Sequence, residues 1–242
     1  MSSYVISDIH GNASFFSLLK KAGVSFPKDT LYVNGDTVDR GEDPLGVFTE
    51  LLRMQNDYPG NIVVLLGNHE LFLKMYLEGN LSERTYSVFG GRSTLAQLDQ
   101  YYPDENSRKA LIDYVSRMPV YALAYSPLHG DTVITHTGID ADHVIYRDDK
   151  VDVIASIQDA FECDAYHYMI GCDIQMGYLP TSVVSNLDKF MIVGHVPTIH
   201  LERTKTIIIK EHYIDIDSGS SYPGGMLSLY RIDDGKVFQV KG

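Results

Sequence analysis

Thr30-Leu31-Tyr32-Val33-Asn34-Gly35-Asp36 is a short run of β-branched, aromatic and apolar residues that ends in a carboxylate. It reads as a buried strand that delivers Asp36 where the chain surfaces. Working outward, Tyr4 to Asp8 has the same character, and a helix from about Asn12 to Ala22 separates the two, with Asn12 as N-cap and Gly23 as stop. On the other side a helix opens near Pro44 and runs to about Asn56, and Asn61 to Leu66 is a third, nearly all-apolar strand. This βαβαβ order predicts a parallel sheet. Lys189-Phe190-Met191-Ile192-Val193-Gly194-His195 repeats the pattern of Thr30 to Asp36, ending in an imidazole. Loops at the carboxyl ends of such strands converge on a rigid frame, which is where ligand sites form in open α/β sheets.

The residues at those strand ends carry the chemistry. Ser7-Asp8-Ile9-His10-Gly11, Gly35-Asp36-Thr37-Val38-Asp39-Arg40-Gly41 and Gly67-Asn68-His69-Glu70 are followed by His136 in Ile-Thr-His-Thr-Gly and His195 in Val-Gly-His. One Asp-x-His is weak, because two polar residues after a strand are usually a turn. Several ligand clusters, each at the end of a strand, point to metal. No thiolate takes part, and the mixed carboxylate, imidazole and amide set suits Mn²⁺, Fe²⁺ or Zn²⁺ better than an all-oxygen Ca²⁺ cage.

These motifs resemble the three signatures of the calcineurin-like metallophosphoesterases. Arg40 after Asp39 resembles the serine/threonine phosphoprotein phosphatase branch, and Gly90-Gly91 followed by Thr94-Leu95 is similar to a bacterial subgroup. Asp217-Ser218-Gly219 followed by Gly224-Gly225 extends the resemblance towards the C-terminus. The resemblance implies two mixed β-sheets packed face to face with helices outside, and a dinuclear metal site at one edge. It implies that Asp8 and His10 bind one metal, that Asp36 bridges both, and that Asn68, His136 and His195 bind the second. His69 with Asp39 then donates a proton, and Arg40 grips phosphate.

The same residues support the chemistry without the family. Two divalent cations can share a hydroxide, because metal binding lowers the pKa of water from about 15.7 towards about 7. Asp8 and Asp36 leave part of the metal charge free for phosphoryl oxygens, and Arg40 adds a planar fork that holds two of them. No Cys-x5-Arg loop or phosphoaspartate motif is present, so direct attack by the bridging hydroxide is expected rather than a covalent intermediate. His69 directly follows Asn68, so its side chain is expected to point away from the metal that Asn68 faces, towards the leaving group, as a general acid oriented by Asp39. Glu70 reads as a first-turn carboxylate that complements the dipole of a helix from Leu71 to Glu78. His129, His143, His167, His200 and His212 read as surface or packing residues.

At 242 residues with 44% hydrophobic and 21% charged content, the chain is long enough for a sizeable core, and one domain over 1–242 is expected. A net charge of −12 with no basic stripe argues against nucleic acid as partner. No apolar stretch approaches a membrane span and the start lacks a signal-peptide pattern, so a cytoplasmic enzyme is expected. Cys163 and Cys172 read as reduced packing thiols. Ser107 to Arg117 reads as a helix; Val120 to Ala124, Asp131 to Thr135, Thr206 to Asp215, Met226 to Ile232 and Val237 to Val240 read as strands.

Residues from about 139 to 188 depart from the resemblance. Related phosphatases place a second phosphate-gripping arginine here, yet this chain has no tryptophan and no arginine between Arg147 and Arg203. Arg92, just after Gly90-Gly91, is a candidate substitute. The segment is rich in Tyr, Met and Ile, and reads either as a lid or as ordinary helical packing. The leading functional reading is a phosphatase acting on phosphoserine or phosphothreonine protein or on a small phosphate ester. The alternative is a dinucleoside polyphosphate hydrolase, with diadenosine tetraphosphate as the example; a decayed metal-binding scaffold comes third. Mn²⁺ is the expected metal.

Overall fold

A computed structural model describes residues 1–242. The first half alternates strand and helix: β1 (Ser3–Ile6), α1 (Ser14–Ala22), β2 (Thr30–Asn34), α2 (Pro44–Asp57), β3 (Ile62–Leu65) and α3 (Asn68–Leu77). The helices α4 (Glu83–Tyr86), α5 (Arg92–Tyr101) and α6 (Glu105–Val115) follow, with a kinked turn at residues 87–91 between the first two. The strands β4 (Tyr121–Ser126) and β5 (Gly130–Thr135) form a hairpin, and a small hairpin β6 (Tyr146–Arg147) and β7 (Lys150–Val151) leads into α7 (Val153–Cys163), α8 (Ala165–Met169), α9 (Asp173–Met176) and α10 (Thr181–Val184). The chain ends with β8 (Phe190–Val193), α11 (Thr198–Leu201), β9 (Ile208–Ile209), β10 (Tyr213–Asp215), β11 (Met226–Arg231) and β12 (Val237–Lys241).

Two five-stranded mixed sheets result, in the orders β12-β11-β1-β2-β3 and β4-β5-β8-β10-β9. Strands β1, β2 and β3 are parallel, as are β5, β8 and β10, while the hairpin strands run antiparallel at the edges. This is the α/β fold with two mixed sheets and flanking helices that the family resemblance implied. Val5, Leu65, Tyr230 and Ile232 from the first sheet meet Ile134, Phe190, Ile192 and Ile214 from the second in a buried inner layer. Ile6, Val33 and Val64 alternate to the outer face, where they pack in one cluster with Phe15, Leu18, Phe48 and Leu51 of α1 and α2. Each such fully buried side chain is worth about 1.5–3 kcal/mol.

Register places the site. Ile6 pairs with Val33 and Val33 with Val64, so the residues two to four beyond these partners emerge side by side: Asp8, Asp36 and Asn68. In the other sheet Ile134 pairs with Ile192, which brings His136 and His195 out at the same edge. Asn34 ties the two sheets together there: its Nδ2 donates to the Thr135 carbonyl at 3.0 Å, while its own carbonyl accepts from Ser7 Oγ at 2.9 Å.

Two local expectations change. Thr206 to Asp215 is two short antiparallel strands, because the chain turns back between Lys210 and Tyr213, and not one. Helix α1 begins at Ser14 rather than Asn12, although Asn12 Oδ1 still accepts the Ser14 amide at 2.9 Å. Helix α5 begins at Arg92, directly after Gly90-Gly91. No helix is long and apolar enough to cross a membrane.

Candidate metal centre

Nine residues other than glycine have a positive φ, and six of them are Asp8, His10, Asp36, Asp39, Arg40 and His195. Left-handed backbone costs a bulky residue free energy and persists only where the surroundings enforce it; its concentration at the strand ends marks a built site. Asp8, His10, Asp36, Asp39, Asn68, His69 and His136 are all buried, although every one is polar. Burial of that much polarity needs partners.

Asp36 lies at the centre. Its Oδ2 faces His10 Nε2 at 3.7 Å and His69 Nε2 at 3.8 Å, and its Oδ1 faces His136 Nε2 at 3.4 Å. Two groups of ligand atoms therefore share this carboxylate, His10, Asp36 and His69 on one side and Asp36, His136 and His195 on the other. Asn68 Oδ1 joins the second group, 3.1 Å from His136 Nε2 and 2.9 Å from His195 Nδ1. Asp8 flanks the first: its Oδ1 is 4.0 Å from His10 Nε2, buried and without a hydrogen-bond partner, while its Oδ2 is held by Ser7 Oγ at 2.5 Å and the His195 amide at 3.1 Å.

Two of these histidines are aimed through the second ring nitrogen. His10 Nδ1 lies 2.9 Å from the Val38 carbonyl and His136 Nδ1 2.8 Å from the Asn34 carbonyl, which leaves both Nε2 atoms directed inward. Such partners fix the tautomer of a metal ligand. An orphaned buried carboxylate oxygen, inward imidazoles and a shared carboxylate are a donor set that fits two divalent cations, and these residues could hold them. Without cations the charges compensate one another: burial opposes the Asp36 carboxylate, yet His136 and His69 keep it well below the usual range. Burial likewise opposes charge on His136, but Asp36 and Asp8 hold its pKa up at about 10, whereas burial and the neighbouring His136 push His195 down to about 3.

A second constellation adjoins the first. His69 Nδ1 is 2.7 Å from Asp39 Oδ2, and although burial disfavours its charge, Asp36 and Asp39 raise its pKa. Arg40 is exposed; its Nη1 comes 3.1 Å from His10 Nε2, and its guanidinium lies 5.8 Å from the centre of the Tyr222 ring. Arg92 is an exposed residue at the start of α5.

Glu70 has a larger part than the helix dipole assigned to it by sequence. Fully buried, it accepts four backbone amides, those of Asp36 (2.9 Å), Thr37 (2.7 Å), Val38 (3.2 Å) and Gly67 (3.1 Å), and so fastens the Asp36 loop to the start of α3. Glycines next to it have no room for a side chain: a Cβ on Gly67 would lie 2.3 Å from the Asp36 amide nitrogen. Segment 139–188 has a core-facing side built on Val153, Ile157, Tyr168, Met169 and Ile174, and an exposed side with Tyr166, Ile170, Met176 and Tyr178. Gln175 Nε2 from this segment donates to the Gly194 carbonyl at 3.0 Å, bracing the turn that carries His195. Neither Gln175 nor Asn34 was signalled by the sequence. The five remaining histidines lie apart, His129 for example stacked on Phe190 at 3.8 Å.

The chain matches the calcineurin-like phosphoesterases over residues 1–218. It belongs to that family. This calcineurin-like phosphoesterase is 45% identical over 90 residues to a symmetrical bis(5'-nucleosyl)-tetraphosphatase of Buchnera aphidicola subsp. Schizaphis graminum (strain Sg), covering 37% of this chain and 32% of that one. The enzyme of the same name from Delftia acidovorans (strain DSM 14801 / SPH-1) is 32% identical over 142 residues, 57% of this chain and 45% of its own. The chain thus spans less than half the length of these curated relatives. A protein serine/threonine phosphatase from Saccharomyces cerevisiae superposes with a TM-score of 0.66 at 15% identity, over 100% of this chain and 80% of that one, which is a likeness of fold. The family so matched is one of phosphoesterases.

Proposed function

We propose that the chain hydrolyses the phosphoanhydride of a dinucleoside polyphosphate such as diadenosine tetraphosphate. The carrying observation is that the sequence relatives reported above are tetraphosphatases of this class, and that their similarity accompanies the clustering of two ligand groups around Asp36. This places first the reading that the motifs alone ranked second, behind a phosphomonoesterase. In our assignment Asp8 and His10 would hold one cation and Asn68, His136 and His195 the other, with Asp36, common to both ligand groups, serving both; Mn²⁺ is the expected metal. When bound, the cations would supply a water of pKa near about 7 and positive charge for phosphate oxygens.

The chain's own residues do the rest. Arg40 holds two oxygens of the polyphosphate through its fork and orients the scissile bond in line. His69 Nε2, its other nitrogen on Asp39, donates its proton to the leaving oxygen as the bond to phosphorus breaks. One water is consumed, and symmetrical cleavage of diadenosine tetraphosphate yields two molecules of ADP.

Purified protein with Mn²⁺ should convert diadenosine tetraphosphate to ADP, followed by ion-exchange chromatography. Turnover of phosphoserine or phosphothreonine peptides with no turnover of the dinucleotide would overturn the proposal in favour of the phosphomonoesterase.

A further inference from the structure

Asp39 is fully buried and its two carboxylate oxygens are used differently. Oδ2 meets His69, while Oδ1 accepts two hydroxyls, Tyr86 Oη at 2.5 Å and Thr94 Oγ1 at 2.5 Å. Thr94 Oγ1 also accepts the Asp39 amide at 3.1 Å, so its single proton is committed to the carboxylate. Burial, with Asp39 beside it, pushes the Tyr86 phenol well above its ordinary value, and it remains a donor. Tyr86 closes α4 and Thr94 lies in the first turn of α5, on either side of the kinked turn and 47 and 55 positions along the chain from Asp39.

The kink is what brings them there. Gly90 has φ +116°, its carbonyl accepts the Arg40 amide at 3.0 Å, and a Cβ on it would lie 2.9 Å from Arg40 Cγ. At Gly91 a Cβ would lie 2.6 Å from the Tyr86 ring. Tyr86 is completely buried and stacks on Tyr76 at 5.3 Å. Two short hydroxyl donors on a carboxylate that already has a positive φ hold it in one orientation.

We infer that Tyr86 and Thr94 are positioning residues for proton donation, locking the Asp39 carboxylate so that His69 Nε2 stays aimed at the leaving oxygen. This rests on the donor role given to His69 above. With both hydroxyls removed, Asp39 turns towards other partners, His69 loses its aim, and the cost falls on leaving groups that cannot depart without a proton.

The test uses the full chain with Mn²⁺, the variants Tyr86→Phe, Thr94→Val and their combination, and two probes of different leaving-group basicity, p-nitrophenyl phosphate and phenyl phosphate. The double variant should lose about 10–100-fold in kcat on phenyl phosphate, the range typical for partners that orient an active group, at unchanged KM. Its loss on p-nitrophenyl phosphate should be several-fold smaller. Thr94→Ser should restore the rate, and combining the double variant with His69→Asn should add no further loss, because residues acting as a unit are not additive. Equal losses on both probes, or a full further loss in the His69→Asn background, would overturn the inference, as would wild-type rates in all variants. If His69→Asn itself shows no leaving-group dependence, the donor role fails and the inference falls with it; that outcome is separate from the dinucleotide test, which uses neither probe.

Discussion

Replacing Glu70 by Gln is the perturbation that best separates its tethering role from the helix-dipole role. In the protein each Glu70 oxygen accepts two amides: Oε1 those of Thr37 and Val38, Oε2 those of Asp36 and Gly67. An amide side chain keeps one oxygen and sets an N–H₂ group against two N–H donors, so two charge-assisted hydrogen bonds are lost. At about 1.5–3 kcal/mol each the loss is about 3–6 kcal/mol, and the lower end is expected because removing a buried charge relieves part of its desolvation. Burial raises the Glu70 carboxyl to about 7, with Asp36 adding to this and the Thr37 and Val38 amides opposing it, so ionising it costs the fold stability as pH rises from its ordinary range through 7. At pH 8, where the comparison belongs, the carboxylate is ionised, and this cost, which Gln does not carry, is what keeps the expected loss at the lower end. For a chain of this size a loss of about 3 kcal/mol lowers the melting temperature by roughly 6–12 °C. Calorimetry of metal-free wild type and variant measures it. A dipole contribution alone is worth about 0.3–1 kcal/mol, so a shift below roughly 4 °C would refute the tether.

Other perturbations follow from the same geometry. His69→Asn should lower kcat by roughly 10²–10⁴-fold on phosphoserine, whose alkoxide needs a proton, and much less on p-nitrophenyl phosphate; equal losses in steady-state assays would remove His69 as the acid. Arg40→Ala should impair turnover and Arg40→Lys restore it only in part, since lysine lacks the bidentate fork, and full rescue by lysine would reduce Arg40 to a point charge. Arg92→Ala decides whether Arg92 assists: a fall of at least about tenfold in kcat/KM, about 1.4 kcal/mol, assigns it to phosphate, and wild-type kinetics leave Arg40 acting alone. In metal-free protein His136 is protonated up to about 10, against about 6.5 for an ordinary histidine, a stabilisation present below pH 6.5 and lost as pH rises towards 10. Metal must displace that proton, so calorimetric titration at pH 7.5 in buffers of different ionisation enthalpy should show proton release on metal binding, and none would contradict the ligand assignment of His136.

How far the chain could be read depended on distance along it. That Asp8, Asp36, Asn68, His136 and His195 would converge was legible because a strand signal and the donor residue at its end are adjacent in sequence, and the observed register of β1, β2 and β3 and of β5 with β8 brings those ends together. The two-sheet architecture came from resemblance, since alternation of strands and helices gives only α/β. What stayed hidden is long-range: Glu70 reaches back to amides 32 to 34 residues earlier, Tyr86 and Thr94 reach Asp39 from 47 and 55 residues away, and Asn34 joins strands 101 residues apart. A buried carboxylate next to a helix start looks the same in sequence whether it meets a dipole or a loop. Gly90-Gly91 likewise gives no sign in the sequence that the kink it permits carries Tyr86 and Thr94 into place.

The claim on which the rest depends is that two cations bridged by Asp36 are needed to cleave the phosphoanhydride. Metal-free protein titrated with Mn²⁺, while ADP release from diadenosine tetraphosphate is followed, tests it directly. The account predicts no turnover before metal, activity that rises until two equivalents are bound, and loss of both tightly held ions in Asp36→Asn. Undiminished turnover after exhaustive chelation, or two ions still held tightly by Asp36→Asn, would contradict it.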